Sequence, residues 1–222
     1  MTYKVQNTRR LTPDELTAIL CRSAKIYAEY ADTTLLFIFR KNRSDAYDYY
    51  EVSFGKNNFM HLAGVKNEEM GAVGFFEACV NGTIKREECK PRRTVGTMFS
   101  KVAVMEQLLD LRHSKCYKIG EKNLVTRDND FEMATGNSVG VVGYDSRIKI
   151  KGTKRPDRTS ASVPTTLLTN PITEYCSTPY KIMFILQKQQ GETTYGNVFY
   201  EIKKGLFETE KELFSEELKR LI

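Results

Sequence analysis

His61-Leu62-Ala63-Gly64 sets one of the chain's two histidines where an apolar run gives way to glycine. Imidazole is the side chain whose ordinary pKa lets it give and take protons near neutrality. Fixed at a bend, it can serve as a general acid or base. Read as a strand over 57–62, the segment puts His61 on the face opposite Met60 and Leu62, at the strand's end. The same spacing also fits a half-buried histidine bonded to a backbone carbonyl.

Three further residues have types suited to phosphate chemistry. Lys101 falls at the shoulder of the apolar stripe of a long helix, one turn from Thr97 and Met105. Its stem can pack there while its ammonium reaches over a sheet edge, or it can simply snorkel beside the core. Lys188 ends the row Ile182, Phe184, Leu186, either as a solvated strand tip or as a cation aimed into a cleft shared with His61 and Lys101. Thr166, in Pro164-Thr165-Thr166-Leu167-Leu168, offers a hydroxyl to a phosphate oxygen, although threonine in a short strand also serves structure alone. The densest basic stretch holds Lys149, Lys151, Lys154, Arg155 and Arg158, which are either solvated loop charges or contacts for a nucleic-acid backbone. His113, following Arg112, reads as a helix-end cation that offsets the dipole.

Other chemistries lack their residues. There is no phosphate loop of the Gly-x-x-x-x-Gly-Lys-Ser/Thr kind, and Gly136-Asn137-Ser138-Val139-Gly140 misses the dinucleotide spacing. No Gly-x-Ser-x-Gly elbow occurs. Cys21, Cys79, Cys89, Cys116 and Cys176 form no Cys-x-x-Cys pair, and no histidine stands at zinc-ligand spacing. No metal and no cofactor are therefore expected, and free thiols point to a reducing compartment. Residues 1–10 hold no apolar signal core and no run approaches membrane-spanning length, so a cytoplasmic location is expected. A formal net charge of +6 favours a polyanionic partner.

The elements that must position these residues follow from periodicity. Thr12-Pro13-Asp14-Glu15 opens a helix over 12–30 with Leu16, Ile19, Leu20, Ala24 and Tyr27 on one face. Residues 34–40 and 47–54 read as an antiparallel hairpin, and 57–62 as a third strand. A short helix over 72–80 ends at Asn81-Gly82, a basic connector holds Lys90-Pro91-Arg92-Arg93, and 94–112 is the longest helix. Short strands are expected at 116–120, 131–135, 139–144 and 147–151, then a loop at 152–162. Stronger strands follow at 180–188, apolar on both faces as a central strand is, and at 197–203. A final amphipathic helix spans 206–222. The whole is an α+β chain of one domain, 1–222.

Phe59-Met60-His61-Leu62-Ala63-Gly64-Val65, Phe75-Phe76-Glu77-Ala78-Cys79 with Asn81-Gly82, and Lys101 in its helix occur together with Gly140 to Tyr144. Val163-Pro164-Thr165-Thr166-Leu167-Leu168 and Lys181 to Lys188 with Tyr195 complete the set, in order across about 47–203. This series resembles the phage and mobile-element nucleases grouped with barnase, EndoU, colicin-type and RelE toxins (the BECR fold), in particular their fourth phage subfamily. The chain departs from the family pattern at Ala63, where threonine is usual, and at Thr165, where asparagine is usual.

The resemblance implies helices packed on a four- to five-stranded, mainly antiparallel sheet, with the N- and C-terminal helices flanking a nuclease-like core at about 47–203. It implies metal-independent RNA cleavage by 2′-hydroxyl attack, with His61 as acid or base, Lys101 and Lys188 as phosphate stabilisers and Thr166 as a positioning hydroxyl. The expected setting is a toxin or host-takeover effector in its own bacterial cell or in an infected host. RNA is the expected partner, with a neutralising or target protein beside it. The alternative is a catalytically inactive nuclease-fold module that binds a host or defence nucleic-acid-binding protein. Oligomeric state and substrate sequence are not written in the residues.

Overall fold

Thr12 starts the first helix by a reciprocal cap: its hydroxyl accepts from Glu15 N at 3.3 Å, and the Glu15 carboxylate accepts from Thr12 N at 2.7 Å. In this computed structural model, which describes residues 11–41, 46–113, 117–123, 131–146 and 161–222, helix α1 (Pro13–Ala28) buries Leu16, Leu20, Ala24 and Tyr27 along one face. The hairpin follows as β1 (Thr33–Arg40) and β2 (Tyr47–Phe54), antiparallel from Thr33 opposite Phe54 to Arg40 opposite Tyr47.

The segment expected as a third strand is a helix, α2 (Lys56–Leu62). Asn58 Oδ1 accepts from Gly55 N at 2.9 Å and tightens its first turn. Phe59 and Leu62, three apart, are both buried. The Phe59 ring sits 5.6 Å from that of Tyr27 and 5.3 Å from that of Phe76. Tertiary packing thus sustains a helix too short to stand alone. Gly64, at φ 70°, turns the chain out of it into β3 (Val65–Lys66). Helix α3 (Gly71–Asn81) ends, as expected, on Gly82 in the left-handed conformation. β4 (Lys90–Pro91) pairs antiparallel with β3, and α4 (Val95–Leu109) begins on Thr94, whose hydroxyl accepts from Thr97 N. Met98, Val102, Met105, Leu108 and Leu109 face the core; Val95 is exposed in the first turn.

The later strands are β5 (Lys118–Glu121), β6 (Met133–Gly136), β7 (Val141–Asp145), β8 (Val163–Leu168), β9 (Tyr180–Gln189) and β10 (Asn197–Glu201), with a short helix α5 (Ile172–Tyr175) after β8. Among the described residues they join β1 and β2 in an eight-stranded sheet rather than one of four or five. Its order is β2-β1-β9-β5-β6-β7-β8, with β10 also on β9. The sheet curls until its two ends meet. Ser162, just before β8, bridges in parallel to Val52, accepting from Ser53 N at 2.7 Å and donating to Glu51 O at 3.0 Å. The Tyr144 ring of β7 consequently reaches Phe37, Tyr50 and Phe54 at centroid distances of 6.1–6.4 Å. The expected strand at 147–151 and most of the expected loop at 152–162 lie outside the described residues.

Inside the curl, residues of the first four helices pack against Leu35, Phe37, Val52, Val142 and Ile185. Outside it, the C-terminal segment covers Leu36, Ile38, Phe184 and Leu186. β1 and β9 are therefore buried on both faces, as the apolar run of β9 requires. The C-terminal segment is not one helix. α6 (Leu206–Glu210) runs into a single 3₁₀ turn, the chain extends at Phe214, and Ser215 caps α7 (Glu216–Lys219) by accepting from Leu218 N at 3.2 Å. No described helix is long and apolar enough to cross a membrane. Helices against a curled, mostly antiparallel sheet make this an α+β fold.

Candidate active site

Helix α2 ends against β8, where Asn58 Nδ2 donates to Pro164 O at 3.4 Å. That contact aims the last turn, with half-buried His61, at an irregularity in the strand. Thr166 lies opposite Gly143 and Pro164 opposite Tyr144, so Thr165 is the extra residue of a bulge. The backbone of Thr165 hydrogen-bonds the His61 ring and favours its protonated form, as a carbonyl accepting a ring N–H does.

Nδ1 of this ring has an unusual partner. Arg92 N donates to Gly64 O at 2.8 Å, continuing the β3–β4 ribbon. The Arg92 side chain then places Nη1 2.7 Å from His61 Nδ1. A guanidinium only donates, so Nδ1 accepts and the imidazole is neutral, which leaves its proton on Nε2. Burial lowers the His61 pKa from 6.5, and the charges of Arg92, Lys101 and Arg93 lower it further against the pull of Thr165.

Lys101 arrives from the second turn of α4. A Cβ added at Gly64 would meet Lys101 Cδ at 3.1 Å and Met98 Cα at 3.6 Å, so the lysine stem lies along the turn that follows α2. Burial lowers the pKa of this ammonium below 10.5, and Arg93 and Arg92 add to the effect. No carboxylate forms an ion pair with Lys101, Arg92 or Arg93 among the described residues. Three cations and a neutral imidazole thus share one place without a carboxylate partner among the described residues. That arrangement suits an anion and a proton acceptor side by side.

The remaining expected site residues are placed apart from this cluster. Thr166 lies on the outer face of β8, its methyl beside the position a Gly143 side chain would take, next to Phe131. The residue in contact with His61 is its neighbour Thr165. Lys188 continues the outer row of Phe184 and Leu186, whereas an irregular register between Phe39 and Ile38 turns Ile182 inward. Lys188 Nζ stands 4.4 Å from the Tyr195 ring centroid and 3.6 Å from Glu51 Oε1, which also accepts from Tyr195 OH at 2.6 Å. The structure therefore brings His61 and Lys101 together but not Lys188. His113 bonds Asp110 through Nδ1 at 2.8 Å, just past α4. Lys149, Lys151, Lys154, Arg155 and Arg158 lie outside the described residues.

Arg92 and Arg93 had been visible in the sequence only as a basic connector. Their signal was position: they immediately precede the Thr94 cap of the helix that carries Lys101. Among the described residues, no three His, Cys, Asp or Glu side chains gather in a way that could hold a metal ion.

A family model described as phage-Barnase-EndoU-ColicinE5/D-RelE like nuclease 4 matches residues 19–204, most of the chain. No curated protein and no solved structure matches.

Proposed function

The chain belongs to this nuclease family, and from that premise we propose that it is a metal-independent endoribonuclease of a phage or mobile genetic element. The observation that carries the reading is the neutral His61 beside Arg92, Arg93 and Lys101, three cations without a carboxylate partner among the described residues. In the proposed reaction the ribose 2′-oxygen bonds to the adjacent phosphorus while its proton passes to His61 Nδ1. The Thr165 backbone, which favours the protonated ring, steadies the imidazolium that results. The guanidinium groups and the Lys101 ammonium face the charge that grows on the non-bridging oxygens.

The bond from phosphorus to the 5′-oxygen breaks, and the departing oxygen takes a proton from Lys101, whose lowered pKa makes it a better acid than an ordinary lysine. The products are a 2′,3′-cyclic phosphate and a 5′-hydroxyl. RNA is the substrate because the nucleophile is the 2′-hydroxyl. Lys149, Lys151, Lys154, Arg155 and Arg158 are proposed to contact further phosphates. A toxin or host-takeover effector working in the cytoplasm, held in check by or directed at a protein partner, fits a phage-associated family.

The placement of Lys188 and Thr166 away from His61 favours a second reading, an inactive nuclease-fold module that binds a host or defence protein. Total RNA incubated in EDTA with wild type and with His61→Ala separates the two. The first reading expects cyclic-phosphate ends from wild type and about 10²–10⁴-fold slower cleavage by the variant. No cleavage by wild type overturns it in favour of the binding module. Cleavage lost in EDTA and restored by magnesium overturns metal independence.

A further inference from the structure

We propose that Arg92 masks the base until substrate arrives: it caps His61 Nδ1 in the free protein, then moves to an RNA phosphate and releases that nitrogen for the 2′-hydroxyl proton. The inference rests on the reading of His61 as the base.

Nδ1 has a single lone pair, and Arg92 occupies it at 2.7 Å. It cannot at the same time accept from a ribose hydroxyl. The resting geometry therefore leaves the base unusable, and some event must remove the guanidinium. A phosphate is suited to that task. Its bond to arginine is charge-assisted and can be bidentate, whereas the bond to a neutral imidazole is single and lacks an opposing charge. The Arg92 side chain is exposed, so a substrate can reach it. Its main chain is tied to Gly64 O and to the β3–β4 ribbon, so the side chain can swing without displacing the segment.

The groups facing His61 define what the phosphate changes. They are Arg92 and Arg93 from the segment after β4, Lys101 from α4 and the Thr165 backbone from β8. In the free protein three positive charges oppose a proton on the ring. An incoming phosphate both compensates those charges and withdraws the donor from Nδ1. The 2′-hydroxyl proton then has a vacant lone pair to enter, and the resulting imidazolium has an anion beside it. Phosphate binding and base activation become one event.

The test follows the ring nitrogens of His61 by NMR across pH, with inorganic phosphate or a 2′-deoxy dinucleotide that cannot be cleaved. Wild type is expected to show Nε2 protonated and Nδ1 as acceptor, with the ring's proton affinity rising at least about 10-fold on ligand binding, roughly one pKa unit. In Arg92→Gln the free protein should already have the higher affinity, and the ligand-induced rise should shrink several-fold. Arg92→Lys should fall between the two.

A kinetic arm adds a second readout. The acid limb of kcat/KM reports the free enzyme and that of kcat the complex. The first should lie at lower pH in wild type, and the two should coincide in Arg92→Gln. An equal ligand response in wild type and Arg92→Gln, or no response of His61 to either probe, overturns the proposal. The expected ring response without RNA cleavage sinks the nuclease reading but leaves the Arg92 transfer standing. Cleavage that needs His61, with the kcat/KM and kcat limbs as far apart in Arg92→Gln as in wild type, sinks the transfer alone.

Discussion

Gly64 and Lys101 are closely packed: a methyl on Gly64 would stand 3.1 Å from Lys101 Cδ, so the lysine stem would have to shift by a few tenths of an ångström. The same glycine sits at φ 70°, where side chains are disfavoured, and its carbonyl accepts from Arg92 N. One residue therefore ends α2 behind His61, seats Arg92 and admits the lysine stem.

Gly64→Ala should lower stability by about 1–2 kcal/mol through the left-handed backbone alone. Cleavage should fall further than the folded fraction accounts for, because Lys101 is displaced. Urea denaturation beside an RNase assay checks this. A destabilised variant whose remaining folded protein works at the wild-type rate would show that the fit of Lys101 is immaterial.

Lys101 has its pKa lowered from 10.5 by burial and by Arg93 and Arg92. The alkaline limb of the rate profile should accordingly appear below that value, as the ammonium loses its proton. Lys101→Met should slow cleavage about 10²–10³-fold, the usual cost of one stabilising donor. Lys101→Arg should move the alkaline limb upward, since guanidinium keeps its proton. A wild-type profile flat to pH 10.5 counts against the acid role.

Folded His61 is a weaker base than the unfolded ring at about 6.5, so acid favours the unfolded chain, which binds the proton more readily. The stability gained by keeping the ring neutral is full above the unfolded pKa and is lost as pH falls below it toward the folded value. Denaturation at pH 7.5 and pH 5, wild type against His61→Asn, should show a steeper loss for wild type, with the test pH values chosen at roughly one unit or more either side of an ordinary histidine's pKa. Equal losses would place the acid sensitivity elsewhere.

Lys188 lies against Tyr195 and Glu51, with 19% and 20% of the two charged side chains exposed. Lys188→Ala should cost about 1–2 kcal/mol from the lost cation–π contact and the stranded carboxylate. The kcat of the folded protein should hardly change. A stable variant with a collapsed kcat would return Lys188 to the reaction.

Charge reversal at Lys154, Arg155 and Arg158 should weaken RNA binding and flatten its log–log salt dependence by about 0.7 for each lost phosphate contact to a single strand. Fluorescence anisotropy from 50 to 200 mM salt, a range in which such contacts are felt at roughly these concentrations, measures the slope. An unchanged slope means that the stretch is merely solvated.

Much of the scaffold was legible because local rules and tertiary packing agree. The Thr12–Glu15 cap, the hairpin of β1 and β2, Gly82 after α3 and the doubly buried β9 each carry a short-range signature. The failures were of two kinds. At 57–62 the pattern Phe59-Met60-His61-Leu62 is compatible with both periods, and Phe76 and Tyr27, distant in sequence, decide for helix. The reach of Asn58 back to Gly55 was the overlooked local sign, as Ser215 ahead of Leu218 was for the break in the C-terminal segment. The site itself was half legible. His61 and Lys101 stand out by type and position, but the Arg92 contact spans 31 residues of sequence and depends on the ribbon of β3 and β4. Lys188 does continue the face of Phe184 and Leu186, but that face packs under the C-terminal segment and not beside His61; the register irregularity turns only Ile182 the other way.

The bulge at Thr165 has a consequence for how this site tolerates mutation. Its contribution to His61 comes from the main chain, which every amino acid possesses. The identity of residue 165 can therefore drift without erasing the contact. Length cannot drift in the same way. Deleting or inserting one residue between Val163 and Leu168 would shift the bulge, rotate the carbonyl away and invert which side chains face the core. For this strand, the information that must be inherited is a residue count.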